Sequence, residues 1–500
     1  MTKQAKKARR PLAGLALLLA ASLGFAGCGQ PRSVSAAPGS QGAASQGQAA
    51  GAATIKIVMD NTSTDQYTQL FQTIADELGI TIDLVVAPGN YEQFLQTQLQ
   101  SSEKPDLFKL NGQYLTSFVK DGLATDLNAY FTGAWKTQLE DWDLLTKGTF
   151  DQCRRAKDNP VQRSSDSTDP LWAIPFDSGC QSFGINRGAI QNTPTLSAKV
   201  EALVSSGAIP CKPWEVGMDG QVEAYTYSEF AALLEGLQEV IDAGGLAGPA
   251  ENLKYALQGG DALKLLTYSA GGSFLNSSFD TVTLANDGVV QAAFFLKDGM
   301  NKGYIDPMSD GGEGWNNWVS GMYLFDANTG TWENGTYLEN GMDVPMMPIP
   351  VPDGADRSKW VSGQTGSCMV LRSGSPNEET AARVMGAFLS RSSEAFQLEN
   401  AMNVPMYDDS WDAYINENDA GSGVYPYDAN CKNVYNRIIS GKNGQVQETY
   451  YTVGRTWWNT FMTNYTNSFC LDGSIVTQED VFNWMLVQQP QIQALLEAGT

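Results

Sequence analysis

The chemistry open to this chain is limited first by a missing residue type, because its 500 residues include no histidine. Without histidine, a Ser-His-Asp triad, a Cys-His pair and an HExxH zinc motif are all impossible. The sequence also contains no G-x-S-x-G turn, no P-loop and no G-x-G-x-x-G motif. These absences favour a protein that is not an enzyme and that uses no cofactor.

Carboxylates are the abundant reactive groups, since the chain has 55 Asp and Glu residues. Two facing carboxylates could hydrolyse a glycosidic bond, but any chain this acidic offers such pairs, so the pattern has little specificity. The stretch from Asp306 to Glu313 could be interpreted as a calcium loop. It lacks the regular spacing of oxygen ligands, so a solvated turn is favoured and no metal site is predicted.

Cysteine is the other reactive residue, and six of the seven cysteines are widely spaced. They have no C-x-x-C spacing, which argues against a zinc cluster. Outside the cell an even number permits up to three disulfides, and the sequence does not choose among the possible pairings. The six are Cys153, Cys180, Cys211, Cys368, Cys431 and Cys470.

The seventh cysteine, Cys28, ends an N-terminal leader. Basic residues precede an apolar run at residues 12–26, which is typical of a secretory signal peptide and short for a membrane span. The end of the run resembles a bacterial lipoprotein signal, although Phe25 stands where Leu is usual. We therefore predict a signal peptide over residues 1–27 and lipid attachment at Cys28, with an ordinary leader and a chance cysteine as the alternative.

The stretch that follows, residues 28–53, consists almost entirely of Gly, Ala, Ser, Gln and Pro. Such a composition cannot bury a core and predicts a flexible tether. The remaining body, of about 450 residues, is long enough for two or three domains. Removal of the leader takes away five basic residues and no acidic ones, so the net charge changes from −23 to about −28. A surface this acidic argues against nucleic acid as a partner.

Alternating elements open the body. Buried strands are predicted at 54–60, 81–87 and 105–110, with amphipathic helices at 65–78 and 91–99 between them. This alternation predicts an α/β fold with a parallel, doubly wound sheet. Further along, a capping box at Thr226 and Glu229 starts a helix, and two long helices at 377–401 and 478–499 make the C-terminal part helix-rich.

Five stretches in chain order carry a family resemblance. Together they resemble a family 1 extracellular solute-binding protein of the carbohydrate type, the lipoprotein that serves an ABC importer in Gram-positive bacteria. The similarity spans nearly all of residues 54–500, with extra sequence near 140–170, near 208–224 and at the C-terminus. The stretches are residues 104–131, 171–190, 320–332, 343–354 and 367–389.

The resemblance implies a fold and a function. The fold would be two doubly wound lobes of the periplasmic-binding-protein-like type II class, joined by a hinge near Ile174, Pro175, Phe176 and Trp360. Lobe 1 would comprise residues 54–172 plus 361–410, and lobe 2 would comprise 173–360 plus 411–500. Such a monomer would capture a sugar or oligosaccharide in the cleft between its lobes. It would deliver the sugar to a membrane permease while anchored by lipid on the extracellular face of the cell membrane.

The ligand residues expected from this layout follow strands or lie at the hinge, since open α/β sheets bind ligands at the carboxyl ends of their strands. Polar side chains would clamp sugar hydroxyls, and aromatic rings would stack on sugar faces. The polar candidates are Asn61, Asp65, Asn111, Gln113, Asp177 and Gln364. The stacking candidates are Trp332, in the family's G-x-W pattern, then Trp315 and one of Trp457 and Trp458.

Two other classes of function stay open at this point. An anchored glycoside hydrolase would show similar aromatic and acidic residues. A surface adhesin, or a binder of a peptide or polyamine, would share the anchor and the tether. The candidate clamp mixes amides with carboxylates, which favours a neutral ligand over a cationic one.

Overall fold

A computed structural model describes residues 53–499, except for positions 62–63, 132–140, 165, 178, 180, 261, 308–313, 331–332, 334–336, 338–339, 364–365, 401, 417–428, 440–442, 444, 447 and 449–451. From Ala52 to Thr500 the chain forms one compact unit. The predicted leader, Cys28 and nearly all of the predicted tether lie outside the described residues.

The first five elements alternate between strand and helix, as the sequence predicts. They are β1 (Thr54–Met59), α1 (Thr64–Leu78), β2 (Thr81–Val86), α2 (Tyr91–Gln100) and β3 (Leu107–Asn111). Strand β1 is almost wholly buried and pairs in parallel with both β2 and β3. Helix α1 buries one face, including Leu70, Phe71 and Ile74, because its apolar residues recur at helical spacing.

The chain then builds short elements before it reaches the predicted hinge. These are α3 (Leu115–Lys120), α4 (Asn128–Phe131), α5 (Lys147–Asp151), β4 (Arg155–Ala156), β5 (Asn159–Arg163) and β6 (Ile174–Pro175). Strands β4 and β5 pair antiparallel within the extra segment noted near 140–170.

A second sheet lies in the middle of the chain, with strand order β10-β7-β9-β8. Only β8 and β9 pair in parallel within it, so this sheet is mixed. Its elements are β7 (Gln181–Ile185), α6 (Arg187–Gln191), α7 (Pro194–Ser206), α8 (Tyr227–Ala243), β8 (Tyr255–Leu257), α9 (Ala262–Ser269), α10 (Asp287–Lys302), α11 (Gly314–Val319), β9 (Tyr323–Gly330) and β10 (Met346–Met347).

The last part of the chain returns to the first sheet and then becomes helical. It contains β11 (Ser362–Gly363), β12 (Ser367–Leu371), α12 (Glu378–Phe388), α13 (Arg391–Glu399), α14 (Trp411–Asn416), α15 (Ala429–Ile439), β13 (Gln445–Val446), α16 (Thr456–Asn464) and α17 (Gln478–Glu497). Strand β12 inserts antiparallel between β3 and β6, giving the order β2-β1-β3-β12-β6. The three predicted strands therefore pair in parallel as predicted, and β12 makes the complete sheet mixed.

The observed ends of the helices can be compared with those predicted from capping residues in the sequence. The capping box at the start of α8 is confirmed, since Thr226 and Glu229 each accept a hydrogen bond from the other's backbone N–H. The single helix predicted over 377–401 is instead two helices. Ser390 divides them because its side chain accepts a hydrogen bond from the N–H of Ser393 and caps the second helix.

Two separate apolar cores underlie the two sheets. The first contains residues from Ile55 to Phe176 and from Cys368 to Tyr407. The second contains residues from Phe183 to Trp360 and from Val404 to Ile492. The chain thus passes between the cores near residues 176–183, near 360–368 and again near 404–411. In the part of the chain that the structure describes, none of the helices combines the length and apolarity that a membrane span requires.

Candidate ligand-binding site

The carboxyl ends of β1 and β3 meet at one edge of the first sheet, and a buried ion pair joins them. Asp60 directly follows β1, and its Oδ2 lies 3.0 Å from Nζ of Lys109 in β3. The ammonium group also lies 5.0 Å from the ring centroid of Phe176. The side chain of Lys109 is only 7% exposed, so this charge is held inside the protein by its partners.

Asp177 links the two crossing segments beside that ion pair. Its Oδ1 accepts a 2.8 Å hydrogen bond from the N–H of Ser367, the first residue of β12. Burial raises the pKa of Asp177, while Lys109 and the bond from Ser367 act in the opposite direction. Because the chain passes between the two cores near residues 176–183 and 360–368, this hydrogen bond ties the two crossing segments together at the predicted hinge.

Two tyrosines pack against the residues of this sheet edge. The ring of buried Tyr67 packs against Phe176 with centroids 4.7 Å apart. The hydroxyl of Tyr91 donates to the carbonyl of Lys109 and, at 3.3 Å, to that of Val58. Burial and the charge of Asp60 raise the pKa of both phenols, so both stay neutral, and that of Tyr91 acts as a hydrogen-bond donor.

A cavity opens beside this edge, between α2 and the start of α3. Its volume is about 120 Å³, and its walls combine aromatic rings with amide and carboxylate groups. Such a mixture suits a ligand that has both apolar faces and hydroxyl groups. The lining residues are Tyr91, Glu92, Leu95, Gln96, Leu110, Asn111, Tyr114 and Phe118.

Helix α3, which supplies Phe118 to the cavity wall, also contacts the C-terminal part of the chain. The hydroxyl of Ser117, in α3, donates to the carbonyl of Val453. Two residues further on, the Nε atom of Arg455 is buried and makes no hydrogen bond to any described residue. Helix α16, which starts at Thr456, packs in the second core through Trp457 and Phe461. The segment 453–455 therefore connects the second core to the cavity side of the first.

Comparison with known proteins identifies the family. Residues 60–395 match the family described as "Bacterial extracellular solute-binding protein". The chain belongs to this family. Among curated proteins, none matches its sequence.

Solved structures share the fold of this solute-binding protein at low sequence identity. The ABC substrate-binding protein Lmo0181 of Listeria monocytogenes, in complex with cycloalternan, aligns with a TM-score of 0.60 and 13% identity, over 89% of this chain and 99% of its own. The cyclic alpha-maltosyl-1,6-maltose binding protein of Arthrobacter globiformis aligns with a TM-score of 0.62 and 13% identity, over 90% of this chain and 100% of its own. UgpB of Mycobacterium tuberculosis, in complex with glycerophosphocholine, aligns with a TM-score of 0.62 and 15% identity, over 90% of this chain and 99% of its own. The predicted two-lobed, type II periplasmic-binding-protein-like fold is confirmed.

The structure brings most of the predicted polar residues of this solute-binding protein to one edge. Asn61 is exposed at the end of β1, and its carbonyl accepts a 3.0 Å hydrogen bond from Thr64. Asp65 is exposed in the first turn of α1. Asn111 ends β3, and its Oδ1 accepts a 3.3 Å bond from the N–H of half-buried Gln113. Asp177 adjoins them through Ser367, which pairs with Asn111.

The predicted aromatic residues are dispersed by comparison. Trp315 is 39% exposed and lies beside Tyr337, with ring centroids 6.2 Å apart. Trp457 is buried and donates from Nε1 to the hydroxyl of Thr452 at 3.2 Å. Trp458 packs edge-on against Phe274. Both of these rings are enclosed by packing, so a stacking role for one of them would require this segment to rearrange, and it stays a prediction. Trp332 and Gln364 lie outside the described residues.

Sequence reasoning missed the aromatic residues that line the cavity. Tyr114 lies three residues after β3 in the stretch that also supplies Asn111 and Gln113. An aromatic residue that close to the end of a buried strand was a usable signal. Tyr91, at the start of α2, carried no such signal because its contact with β3 depends on the fold. Among the described residues, no three Cys, Asp or Glu side chains form a group able to hold a metal ion.

Proposed function

We propose that this protein is the substrate-binding receptor of an ABC importer, which captures a carbohydrate between its lobes and delivers it to a membrane permease. The observation that carries the proposal is the sheet edge where Asn61, Asn111 and Asp177 lie beside the predicted hinge, since Asn111 also lines an aromatic-walled cavity. Membership of the solute-binding family supports it. The sugar ligands named for the proteins from Listeria monocytogenes and Arthrobacter globiformis also support it.

The chemistry of this edge suits a sugar. Amide groups can donate hydrogen bonds to vicinal hydroxyls and accept them, and carboxylate groups can accept them. The faces of Tyr91 and Tyr114 offer an apolar surface to a pyranose ring. The buried Nε–H of Arg455 would gain a partner from a ligand oxygen. Binding and release require no bond to be made or broken, so we propose that the protein is not an enzyme.

Closure of the two lobes would bury such a ligand. We propose that lobe 1 comprises residues 54–172 plus 361–410 and that lobe 2 comprises 173–360 plus 411–500. The hinge would lie at 174–177 and near Trp360. The hydrogen bond between Ser117 and Val453 supports an approach of the lobes on the cavity side.

The cellular context follows from the leader. We propose that the signal peptide is removed, that Cys28 carries lipid, and that the tether holds a monomeric body on the extracellular face of a Gram-positive cell membrane. The strong negative charge supports a partner other than nucleic acid.

A polar solute other than a sugar is the second candidate. It is favoured by the similarity to UgpB, whose structure contains glycerophosphocholine. Such a ligand would present a phosphodiester, for which the guanidinium of Arg455 would be a suitable partner.

A thermal-shift screen separates these candidates. The full chain would be heated with mono- and oligosaccharides, glycerophosphodiesters, peptides and polyamines. A ligand at 100 times its Kd stabilises the folded state by about 2.7 kcal/mol, which is readily measured. Stabilisation by one class of carbohydrate supports the proposal. Stabilisation by glycerophosphodiesters, peptides or polyamines alone contradicts the sugar assignment.

Substitution of Asn111 then tests the position of the site. We expect Asn111→Ala to weaken binding of the identified ligand about tenfold, since it removes roughly 1.4 kcal/mol of hydrogen bonding, as measured by calorimetric titration. Asp356→Ala is the matched control, because Asp356 also caps a short 3-10 turn and lies far away in the chain. Equal affinities of the two variants would place the ligand elsewhere.

A further inference from the structure

Two buried thiols lie together in the first core. Cys153 follows helix α5, and Cys368 lies in β12, and each is only 1% exposed. Both are free cysteines in the structure. They belong to parts of the chain that are more than two hundred positions apart in sequence, so any bond between them would close a very long loop.

One short strand holds both backbones in place. The N–H of Trp172 donates to the carbonyl of Cys153 at 3.0 Å, and three positions later Pro175 pairs with Cys368. The Sγ atom of Cys368 points to the carbonyl of Leu110 on the neighbouring strand, at 3.3 Å. The side chains therefore enter the same core from two elements that residues 172–175 connect.

The interaction between the thiols is direct. The Cys153 thiol raises the pKa of Cys368 more than burial does, and the guanidinium of fully buried Arg155 lowers it. The other two cysteines that are free in the described part of the chain, Cys211 and Cys470, lie in the second core. Cys211 interacts with the backbone of Val222, and Cys470 interacts with Tyr465 and Lys297.

We propose that Cys153 and Cys368 form a disulfide when the protein folds outside the cell. The two thiols together lose two protons and two electrons as the S–S bond forms. The oxidant is a low-molecular-weight disulfide or an extracellular thiol-disulfide oxidoreductase. One thiolate attacks the disulfide of the oxidant, and the second thiolate then displaces the oxidant's sulfur from the mixed disulfide, which leaves the oxidant reduced to its two thiols.

Burial determines when this bond forms and how long it lasts. Dissolved reagents cannot reach sulfur atoms that are 1% exposed, so oxidation takes place during folding, before the core closes. The same enclosure then protects the bond from reductants. Helix α5 and the β4–β5 pair belong to the extra segment near 140–170. The disulfide would attach this segment to β12, a strand inside the first sheet. Because the closed loop is long, the restriction of the unfolded chain is large.

Mass spectrometry tests the pairing directly. The full chain is refolded with oxidised and reduced glutathione, unfolded in the presence of an alkylating reagent and digested without reduction. We expect a cross-linked peptide pair that contains Cys153 and Cys368. Recovery of both residues as alkylated peptides, or of either one bonded to another cysteine, would overturn the proposal. Because this measurement uses the unaltered sequence, it does not depend on the folding of a variant.

Thermal unfolding provides a second readout. Refolding with reductant alone should lower the Tm by on the order of 5 °C relative to the oxidised protein. The double variant Cys153→Ser/Cys368→Ser should show no such dependence on redox conditions, whereas the control variant Cys211→Ser/Cys470→Ser should retain it. A redox-dependent Tm that persists in the first variant would contradict the assignment.

Discussion

At the scale of single residues, the most unusual ionisable group is Glu448. Its carboxylate is buried and accepts hydrogen bonds from the hydroxyl of Ser273 and from the N–H groups of Phe274 and Leu275, the latter two at 3.0 and 3.1 Å. Burial raises the pKa of Glu448 to about 8, although the backbone bonds lower it in part. The folded protein therefore binds a proton here that the unfolded chain releases near its ordinary pKa.

This raised pKa predicts a pH dependence of stability. Between the unfolded pKa, about 4.5, and the folded pKa, about 8, the folded state binds more protons, so its stability falls as the pH rises. Glu448→Gln should remove this contribution, which amounts to a few kcal/mol across the range. Urea unfolding at pH 5 and at pH 8 measures it. The control is Glu399→Gln, the same substitution at an exposed residue. It should leave the change of unfolding free energy between pH 5 and pH 8 unaltered.

The ion pair at the sheet edge gives a second prediction at this scale. Lys109→Met leaves the carboxylates of Asp60 and Asp177 without their buried cation, so we expect a loss of about 3 kcal/mol at neutral pH. The loss should become smaller in acid, because burial raises the pKa of Asp177 and its protonated carboxyl no longer needs the cation. Lys199→Met breaks the more exposed pair with Glu239 and should cost less than about 1 kcal/mol. Similar urea midpoints for the two variants would contradict the claim that Lys109 stabilises the two carboxylates more than an exposed ion pair would.

At the scale of elements, two glycines allow the end of α9 and the start of α10 to approach each other. A Cβ atom added at Gly288 would lie 2.4 Å from the Cα and N atoms of Gly272. Gly288→Ala should therefore destabilise the fold by about 1–3 kcal/mol through overpacking, measured as a lower urea midpoint. Gly188→Ala, in the first turn of α6, is the control, since its nearest neighbour would be 3.5 Å away. A Gly288 variant as stable as this control would refute the close contact.

The sequence predicted those elements whose signals are local. The early alternation of strands and helices follows from hydrophobic periodicity, and the start of α8 follows from its capping box, so each could be predicted to within a few positions. The break at Ser390 was missed because a serine inside an apolar helical pattern also fits an uninterrupted helix. The insertion of β12 beside β3 pairs residues about 260 positions apart, and no local pattern specifies such a partner.

The same distinction applies to the candidate site. The position of Asn111 at the sheet edge could be predicted because it follows the strand predicted at 105–110, and that of Asp177 because the family resemblance implies a hinge at 174–176. The positions of Trp457 and Trp458 could not, since an aromatic pair on a helix fits a core and a cleft equally well, and only tertiary packing decides which face is covered.

At the scale of the whole molecule, both cores depend on the last third of the chain. Strand β12 lies inside the first sheet, and the second core includes residues up to Ile492. A chain that ends at Trp360 would lack β12, which would leave one side of β3 unpaired and remove the strand that pairs with β6. It would also remove apolar residues from both cores. The compact unit that contains both cores begins at Ala52.

Truncation from the two ends should therefore have opposite results. A chain that starts at Ala53 should keep the cooperative thermal transition and the Tm of the full chain, because it retains every described contact of the two sheets. A chain that stops at Trp360 should show no cooperative transition and rapid digestion by protease, because each of the two cores is built from segments on both sides of that residue. A stable, protease-resistant fragment from the shorter chain would mean that at least one lobe folds without the returning segment, and that the discontinuous layout does not govern folding.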